Sequence, residues 1–198
     1  ASALSSNTTG YLNSAVGMNA LYSNTTGYSN SAVGKSALYY NTTGYENSAM
    51  GASALYSNTT GYQNSGIGTS ALYNNTTGDH NIAIGHRSMM YSTTGNDNTG
   101  IGYQSLYYNA AGNANAVLGY QAGYGVTGTP VASSTIIGYR AGFALATSTA
   151  NILLGYQAGD NLTTGSNNIV LGFDIDAPSA TSANTLNIGN LIFGTSID

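Results

Sequence analysis

The chain reads as an all-β protein, a parallel β-solenoid (β-roll) of about eleven 17-residue coils, and three observations predict it. Gly17, Gly34, Gly51, Gly68, Gly85, Gly102 and Gly119 share one spacing, and after a two-residue insertion the series resumes at Gly138, Gly155, Gly172 and Gly189. Apolar residues recur in phase with those glycines. Helix is disfavoured, because each unit carries two Gly among Ser, Asn, Thr and Tyr, and its apolar positions do not sustain a 3.6-residue period. A unit this short cannot bury an apolar face alone, so it must stack on its neighbours and form a quasi-one-dimensional core.

The elements follow in order from Asn30. Asn30-Ser31-Ala32-Val33 is a short apolar-containing stretch that ends at the corner glycine Gly34. Lys35-Ser36-Ala37-Leu38-Tyr39-Tyr40 is a second such stretch, and Asn41-Thr42-Thr43-Gly44 is turn chemistry. Each coil is therefore expected as strand–turn–strand–turn. Pairing each coil with the next in parallel, at the ~4.8 Å spacing of a sheet, gives a rod on the order of 50 Å long.

Stacking places residue i over i+17, so every position becomes a ladder. The residue before each corner glycine (Val16, Val33, Met50, Ile67, Ile84, Ile101, Leu118, Ile137, Leu154, Leu171, Ile188) is expected in the core. Leu4, Leu21, Leu38, Leu55, Leu72, Met89 and Leu106 are expected as a second core ladder, with Thr or Ala filling the opposite corner. Two residues before each glycine, alternation predicts the other face. There Ala15, Ala32, Ala49, Gly66, Ala83 and Gly100 give way to Val117, Ile136, Leu153 and Val170. These four are the expected subunit interface of a homo-oligomer, since pairs such as Ile136-Ile137 imply strands covered on both faces.

The unbroken period makes residues 1–198 a single domain. The insertion between Gly119 and Gly138 should bulge outward at Gly128-Thr129-Pro130, because Pro cannot donate to a central ladder. Residues 173–198 read as an atypical, capping end. Ala1-Ser2-Ala3-Leu4 matches the repeat in mid-unit, so the chain is expected to be a fragment of a longer fibre.

Composition excludes several functions. Disorder is inconsistent with aliphatic residues in strict phase at 5% charged residues. Lys35, Arg87 and Arg140 are the only cations against a net charge of −4, so a basic footprint for nucleic acid is missing. There is no cysteine for a thiolate site. No apolar run approaches the ~20 residues of a membrane-spanning helix.

Candidate chemistry is confined to ladders. Tyr22, Tyr39, Tyr56, Tyr73 and Tyr107 form one aromatic ladder, and Tyr103, Tyr120, Tyr139, Tyr156 and Phe173 form another. Both are read as structural stacks, with sugar binding as the functional alternative. Thr25, Thr42, Thr59 and Thr76 form a hydroxyl ladder that could match a crystal lattice. His80 lies one coil from Asp97, beside Asp79, and reads as a surface ion pair with no third metal ligand in phase. Asn-Thr-Thr at Asn7, Asn24, Asn41, Asn58 and Asn75 satisfies the N-glycosylation pattern, but corner Asn and Thr are read as bonding to local backbone or to neighbouring coils. No catalytic residues, metal site or cofactor are expected.

Asn30-Ser31-Ala32-Val33-Gly34-Lys35-Ser36-Ala37 resembles the head repeats of trimeric autotransporter adhesins. Gly119-Tyr120-Gln121-Ala122-Gly123 and Gly155-Tyr156-Gln157-Ala158-Gly159, with the Asn-Thr-Thr-Gly corners, are similar to repeats of bacterial and phage tail-fibre-like surface proteins. The resemblance implies a left-handed β-roll, trimeric assembly, and a place on a cell or virion surface. The adhesin head unit is shorter than this one, so the Leu-Tyr and Thr-Thr additions imply a wider coil. The expected function is that of a structural and adhesive fibre segment, a rigid spacer with weak multivalent contacts to a host surface or glycan. The alternative is an ice- or crystal-surface-binding solenoid.

Overall fold

The computed structural model describes residues 2–189 and the backbone of 192–194. Its strands are β1 (Ser14–Val16), β2 (Ser31–Val33), β3 (Ser48–Met50), β4 (Ser65–Ile67), β5 (Ile82–Ile84), β6 (Thr99–Ile101), β7 (Ala116–Leu118), β8 (Val131–Ala132), β9 (Thr135–Ile137), β10 (Ser148–Thr149), β11 (Ile152–Leu154), β12 (Ile169–Leu171), β13 (Leu186–Ile188) and β14 (Ile192–Gly194). Among the described residues there is no helix. One sheet runs β1-β2-β3-β4-β5-β6-β7-β9-β11-β12-β13-β14, and β8 pairs β10 in a second. From β1 to β13 every pairing is parallel, which makes the protein an all-β solenoid of about ten turns.

The register is the sequence period made physical. Ser14 pairs with Ser31 and Val16 with Val33, an offset of 17. Between β7 and β9 the offset is 19, Ala116 against Thr135, so the insertion leaves the sheet undisturbed. Its extra residues form a turn closed by Thr129, whose N–H and hydroxyl both donate to the Val126 carbonyl at 3.2 and 2.7 Å. Val126, Thr127, Gly128 and Pro130 are exposed there.

Each coil holds one three-residue strand in the main sheet, where sequence reasoning expected two strands per coil. The remaining sides bend because three residues per coil adopt the left-handed region, as at Ser36 (φ 57°), Leu38 (φ 52°) and Glu46 (φ 54°). A left-handed residue breaks extended backbone, but the coils stay hydrogen-bonded through it. Leu38 N–H donates to the Ala54 carbonyl at 3.0 Å, and the Thr42 and Thr43 N–H groups both donate to the Thr59 carbonyl at 3.0 and 3.1 Å. The corner glycines must be Gly: Gly34 has φ +138°, and a Cβ there would sit 2.5 Å from the Gly51 carbonyl oxygen of the next coil.

The structure inverts the expected core at the strands. The middle strand residue points inward and its two neighbours point outward, so Ala32, Ala83, Val117, Ile136, Leu153 and Val170 are buried. The ladder expected in the core lies on the outside: Val16 is 65% exposed, Met50 53% and Ile84 and Ile137 37%, while Ile101, Leu154, Leu171 and Ile188 are half-buried. Val117, Ile136, Leu153 and Val170 therefore line the interior of the coil and cannot form the subunit interface assigned to them.

The reason is a volume exchange across the core. The second ladder is inside as expected, with Leu21, Leu38, Leu55, Leu72, Met89 and Leu106 fully buried. Each of these faces the strand residue eleven positions later. A Cβ on Gly66 would meet Leu55 Cγ at 3.3 Å, and one on Gly100 would meet Met89 Cγ at 2.8 Å. Where the corner residue becomes Gly123, Gly142 or Gly159, the strand residue grows to Ile136, Leu153 or Val170. A Cβ on Gly142 would press on Leu153 Cδ1 at 2.8 Å. Val117 still faces the large Leu106, and the exchange begins one coil later: there the corner side chain is lost at Gly123, Gly142 and Gly159, the strand side grows at Ile136, Leu153 and Val170, and buried Leu145 and Leu162 stand where earlier coils have the corner Asn.

Asn, not Thr, fills the interior of the corners. Asn24, Asn41, Asn58 and Asn75 are fully buried, and each donates through Nδ2 to the Oδ1 of the Asn one coil earlier at 2.7–2.8 Å. A second ladder runs from Asn13 through Asn30, Asn47, Asn64, Asn81, Asn98 and Asn115, and there Oδ1 accepts the backbone N–H of the next Asn, at 2.9 Å for Asn30. These carboxamides satisfy backbone that turns through the interior, such as the Gly44 carbonyl held by both Asn30 and Asn41.

The atypical end expected over 173–198 is described only in part. β13 pairs antiparallel with β14, Leu186 opposite Gly194, and residues 190, 191 and 195–198 lie outside the described residues.

Candidate functional site

The fold displays its side chains as columns rather than around a pocket. The outward strand face carries the column before each corner glycine and the column that opens each strand. The latter is Ser14, Ser31, Ser48 and Ser65 in early coils, and includes Ile82, Ile152, Ile169 and Leu186 in later ones. Just past the glycines a third column runs through His86, Tyr103, Tyr120, Tyr139, Tyr156 and Phe173. Its rings stack at centroid distances of 5.4, 5.0, 5.2, 5.2 and 4.8 Å in turn. Outward aliphatic and aromatic columns lie side by side and make one apolar band along the later coils.

Tyr22, Tyr39, Tyr56 and Tyr73 stack at 5.0, 5.1 and 4.9 Å, and Tyr107, Tyr124 and Phe143 stack at 5.1 and 5.0 Å. Met90 interrupts the two runs. Because each ring covers the face of the next, a sugar ring has no aromatic face to lie on within a stack. What remains is a row of ring edges and phenol groups, each stack position adding about 0.5–1.5 kcal/mol to coil adhesion. Burial, with Tyr108 and Tyr107 next to it, pushes the Tyr124 phenol up to about 12. Burial and then Tyr91 likewise raise Tyr107, and burial and then the Tyr40 hydrogen bond raise Tyr56.

Sequence reasoning missed a further aromatic stack, Tyr11-Tyr28-Tyr45-Tyr62, at 5.1, 4.9 and 4.8 Å. Its sign in the sequence is the Tyr that follows each of four Thr-Thr-Gly corners. At Asp79 the column turns into an Asx ladder: Asp79 Oδ1 accepts from Tyr62 N–H, and Asn96 Oδ1 from Asp79 N–H, at 2.9 and 2.8 Å.

Thr25, Thr42, Thr59 and Thr76 stand in register, half-buried, but their hydroxyls donate to the carbonyl of the Thr one coil on, each at 3.0 Å. They are coil-to-coil bonds before they are a surface lattice. The Asn of each Asn-Thr-Thr from Asn24 to Asn75 is buried with its Nδ2 already donating to the corner glycine carbonyl. The folded rod therefore offers no amide there for glycosylation.

His80 Nδ1 lies 3.6 Å from Asp97 Oδ1, both exposed, with the Tyr62 ring edge-on at 5.1 Å. Gln63 donates to Glu46 at 2.7 Å lower in the same column. Among the described residues no three His, Cys, Asp or Glu side chains are grouped as a metal site. Among the described residues no helix long and apolar enough to cross a membrane occurs. Asp160, Asp174 and Asp176 lie near one another, and Asp176 is raised by desolvation and by the two neighbouring carboxylates, partly offset by the Asn161 N–H.

No protein-family model matches the chain, and no curated protein or solved structure matches it. The solenoid geometry itself is therefore what bears on function.

Proposed function

We propose that this chain is a structural and adhesive fibre segment: a rigid spacer that presents repeated weak contacts to a host surface or glycan, outside a cell or on a virion, without catalysis. The observation that supports it most is the repetition itself. The same exposed side chain stands on as many as six successive rungs, as at Thr9, Thr26, Thr43, Thr60, Thr77 and Thr94, so any contact made once is offered again ~4.8 Å further on. Multivalent engagement then raises avidity without a single strong site.

Self-association belongs to the same proposal. The outward strand face, not the buried Val117-Ile136-Leu153-Val170 ladder, is the surface that a second copy would cover. Eleven rungs at ~4.8 Å and three residues at ~3.3 Å make a strip of about 500 Å² per copy, or about 1,000 Å² per pair, near the lower limit for a specific interface. Trimeric, left-handed assembly is the form implied by the resemblance to adhesin head repeats. Light scattering on the parent and on Ile84→Asp with Ile137→Asp tests it. The parent should run as a trimer and the variant as a folded monomer. A parent that stays monomeric at high concentration refutes it.

The adhesive part is tested by comparing the chain as it stands with the same chain clustered on beads, against glycan arrays and host cells. Retention should appear only on clustering, and a tight one-to-one site would overturn the reading. The ice- or crystal-surface alternative now rests on a Thr ladder whose hydroxyls are bonded to the next coil. Thermal hysteresis in the parent, abolished by changing Thr42 and Thr59 to Val, would restore it.

A further inference from the structure

The first Asn ladder has one broken rung. Asn7, Asn24, Asn41, Asn58 and Asn75 are followed in register by Ser92 and then Asn109. A Ser side chain has two fewer heavy atoms than Asn, reaches one bond less far, and does not span to the coils on either side. Two fully buried atoms are left without a hydrogen-bond partner as a result, Asn75 Oδ1 and Ser92 Oγ. In the intact rungs a carboxamide nitrogen does two things at this place. Asn75 Nδ2, for example, donates to Asn58 Oδ1 at 2.8 Å and to the Gly78 carbonyl at 3.0 Å.

The space once filled by the carboxamide is also visible. A Cβ on Gly61 would lie 3.0 Å from Asn75 Nδ2, whereas around Gly78 no atom of Ser92 comes within 3.1 Å of the equivalent point. The other Ser in an Asn ladder is different. Ser134 Oγ donates to the Ala132 carbonyl at 3.0 Å and accepts from Asn151 N–H at 3.2 Å, so that rung is closed by protein alone.

We infer that the rung at Ser92 is a binding site for one buried water molecule, which takes the place of the missing carboxamide nitrogen. The water donates to Asn75 Oδ1 and to the Gly95 carbonyl, the two acceptors an Asn at 92 would serve, and accepts from the Ser92 hydroxyl. Three hydrogen bonds in a polar enclosure are the usual condition for an internal water, and two orphaned buried groups are otherwise costly.

High-resolution crystal structures of the parent, Ser92→Asn and Asn58→Ser test this, together with their thermal midpoints. The parent should show a solvent peak within hydrogen-bond distance of Asn75 Oδ1, Ser92 Oγ and Gly95 O. In Ser92→Asn the side-chain amide should occupy that peak, and the midpoint should rise by about 2–4 °C. Asn58→Ser should create a second such peak beside Asn41 Oδ1, with a midpoint lowered by a similar amount. A dry site in the parent overturns the inference, as does a folded Ser92→Asn whose midpoint is unchanged or lower. If Ser92→Asn does not fold, Asn58→Ser decides: a hydrated rung supports the inference and a dry one refutes it.

Discussion

Exchanging Leu55 and Gly66 tests whether the core obeys a fixed interior volume per coil. Leu55 is fully buried at φ +52°, and a Cβ on Gly66 would already lie 3.3 Å from Leu55 Cγ. Gly66→Leu alone overpacks this contact, at about 1–3 kcal/mol or somewhat more. Leu55→Gly alone opens a cavity worth about 3–5 kcal/mol, from which about 1 kcal/mol is recovered because Gly relaxes the left-handed backbone. Independent effects would sum to roughly 3–7 kcal/mol. The double variant instead sets Gly opposite Leu as at Gly142 and Leu153, though with Asn58 where that coil has Leu145, so it should fall within about 2–3 kcal/mol of the parent, a coupling of about 2–3 kcal/mol. Urea denaturation followed by circular dichroism on all four proteins measures the cycle. Costs that add to within about 0.5 kcal/mol would refute the compensation.

Strand parity makes neighbouring residues behave oppositely: Ile136→Asp buries an unpaired charge and should abolish the folded circular dichroism signal, whereas Ile137→Asp, on the outward face, should leave it intact. The Tyr124 phenol, pushed up to about 12 from an ordinary value of 10.0, ionises later in the rod than in the unfolded chain. The unfolded chain therefore releases its proton first, and stability contributed by this group is full below pH ~10 and lost as pH rises toward ~12. A phenolate absorbance titration should show this late step, and Tyr124→Phe should remove it and flatten the alkaline loss of stability. Deleting Thr127 and Gly128 shortens an exposed turn that the sheet register already bypasses, so the thermal midpoint should stay within ~2 °C of the parent; unfolding would mean the turn belongs to the core.

The coil, its parallel register and the position of one strand per turn were legible because Gly34 and its counterparts have no substitute where a carbonyl lies 2.5 Å from a would-be Cβ. The inside and outside of that strand were misread because size was taken as a guide to burial. The guide that was present is reciprocal: large at Leu55 with small at Gly66, small at Gly142 with large at Leu153. The corner Asn were read as bonding to local backbone or to their copies in adjacent coils, and Asn41 does both; what phase did not show is that these carboxamides lie inside the coil. The left-handed backbone at Leu38 had no legible sign, since Leu has no local preference for it. It is imposed by burial of the side chain and by the bond from Leu38 N–H to the next coil. Of the candidate surface residues, the tyrosine register was legible, but the covering of each ring by the next depends on rotamers that no spacing encodes.

Every carboxamide in the Asn24-to-Asn75 ladder points the same way, its nitrogen toward the earlier coil and its oxygen toward the later one. The neighbouring Thr row runs the other way, with the N–H groups of Thr42, Thr43 and Gly44 and the Thr42 hydroxyl all donating to Thr59 O of the later coil, so the two rows of dipoles oppose each other along the axis. Each Thr-Thr-Gly corner thus carries two opposed rows of donors, an Asn row inside that reaches back and a Thr row outside that reaches forward, so every coil is gripped from both sides at the same edge.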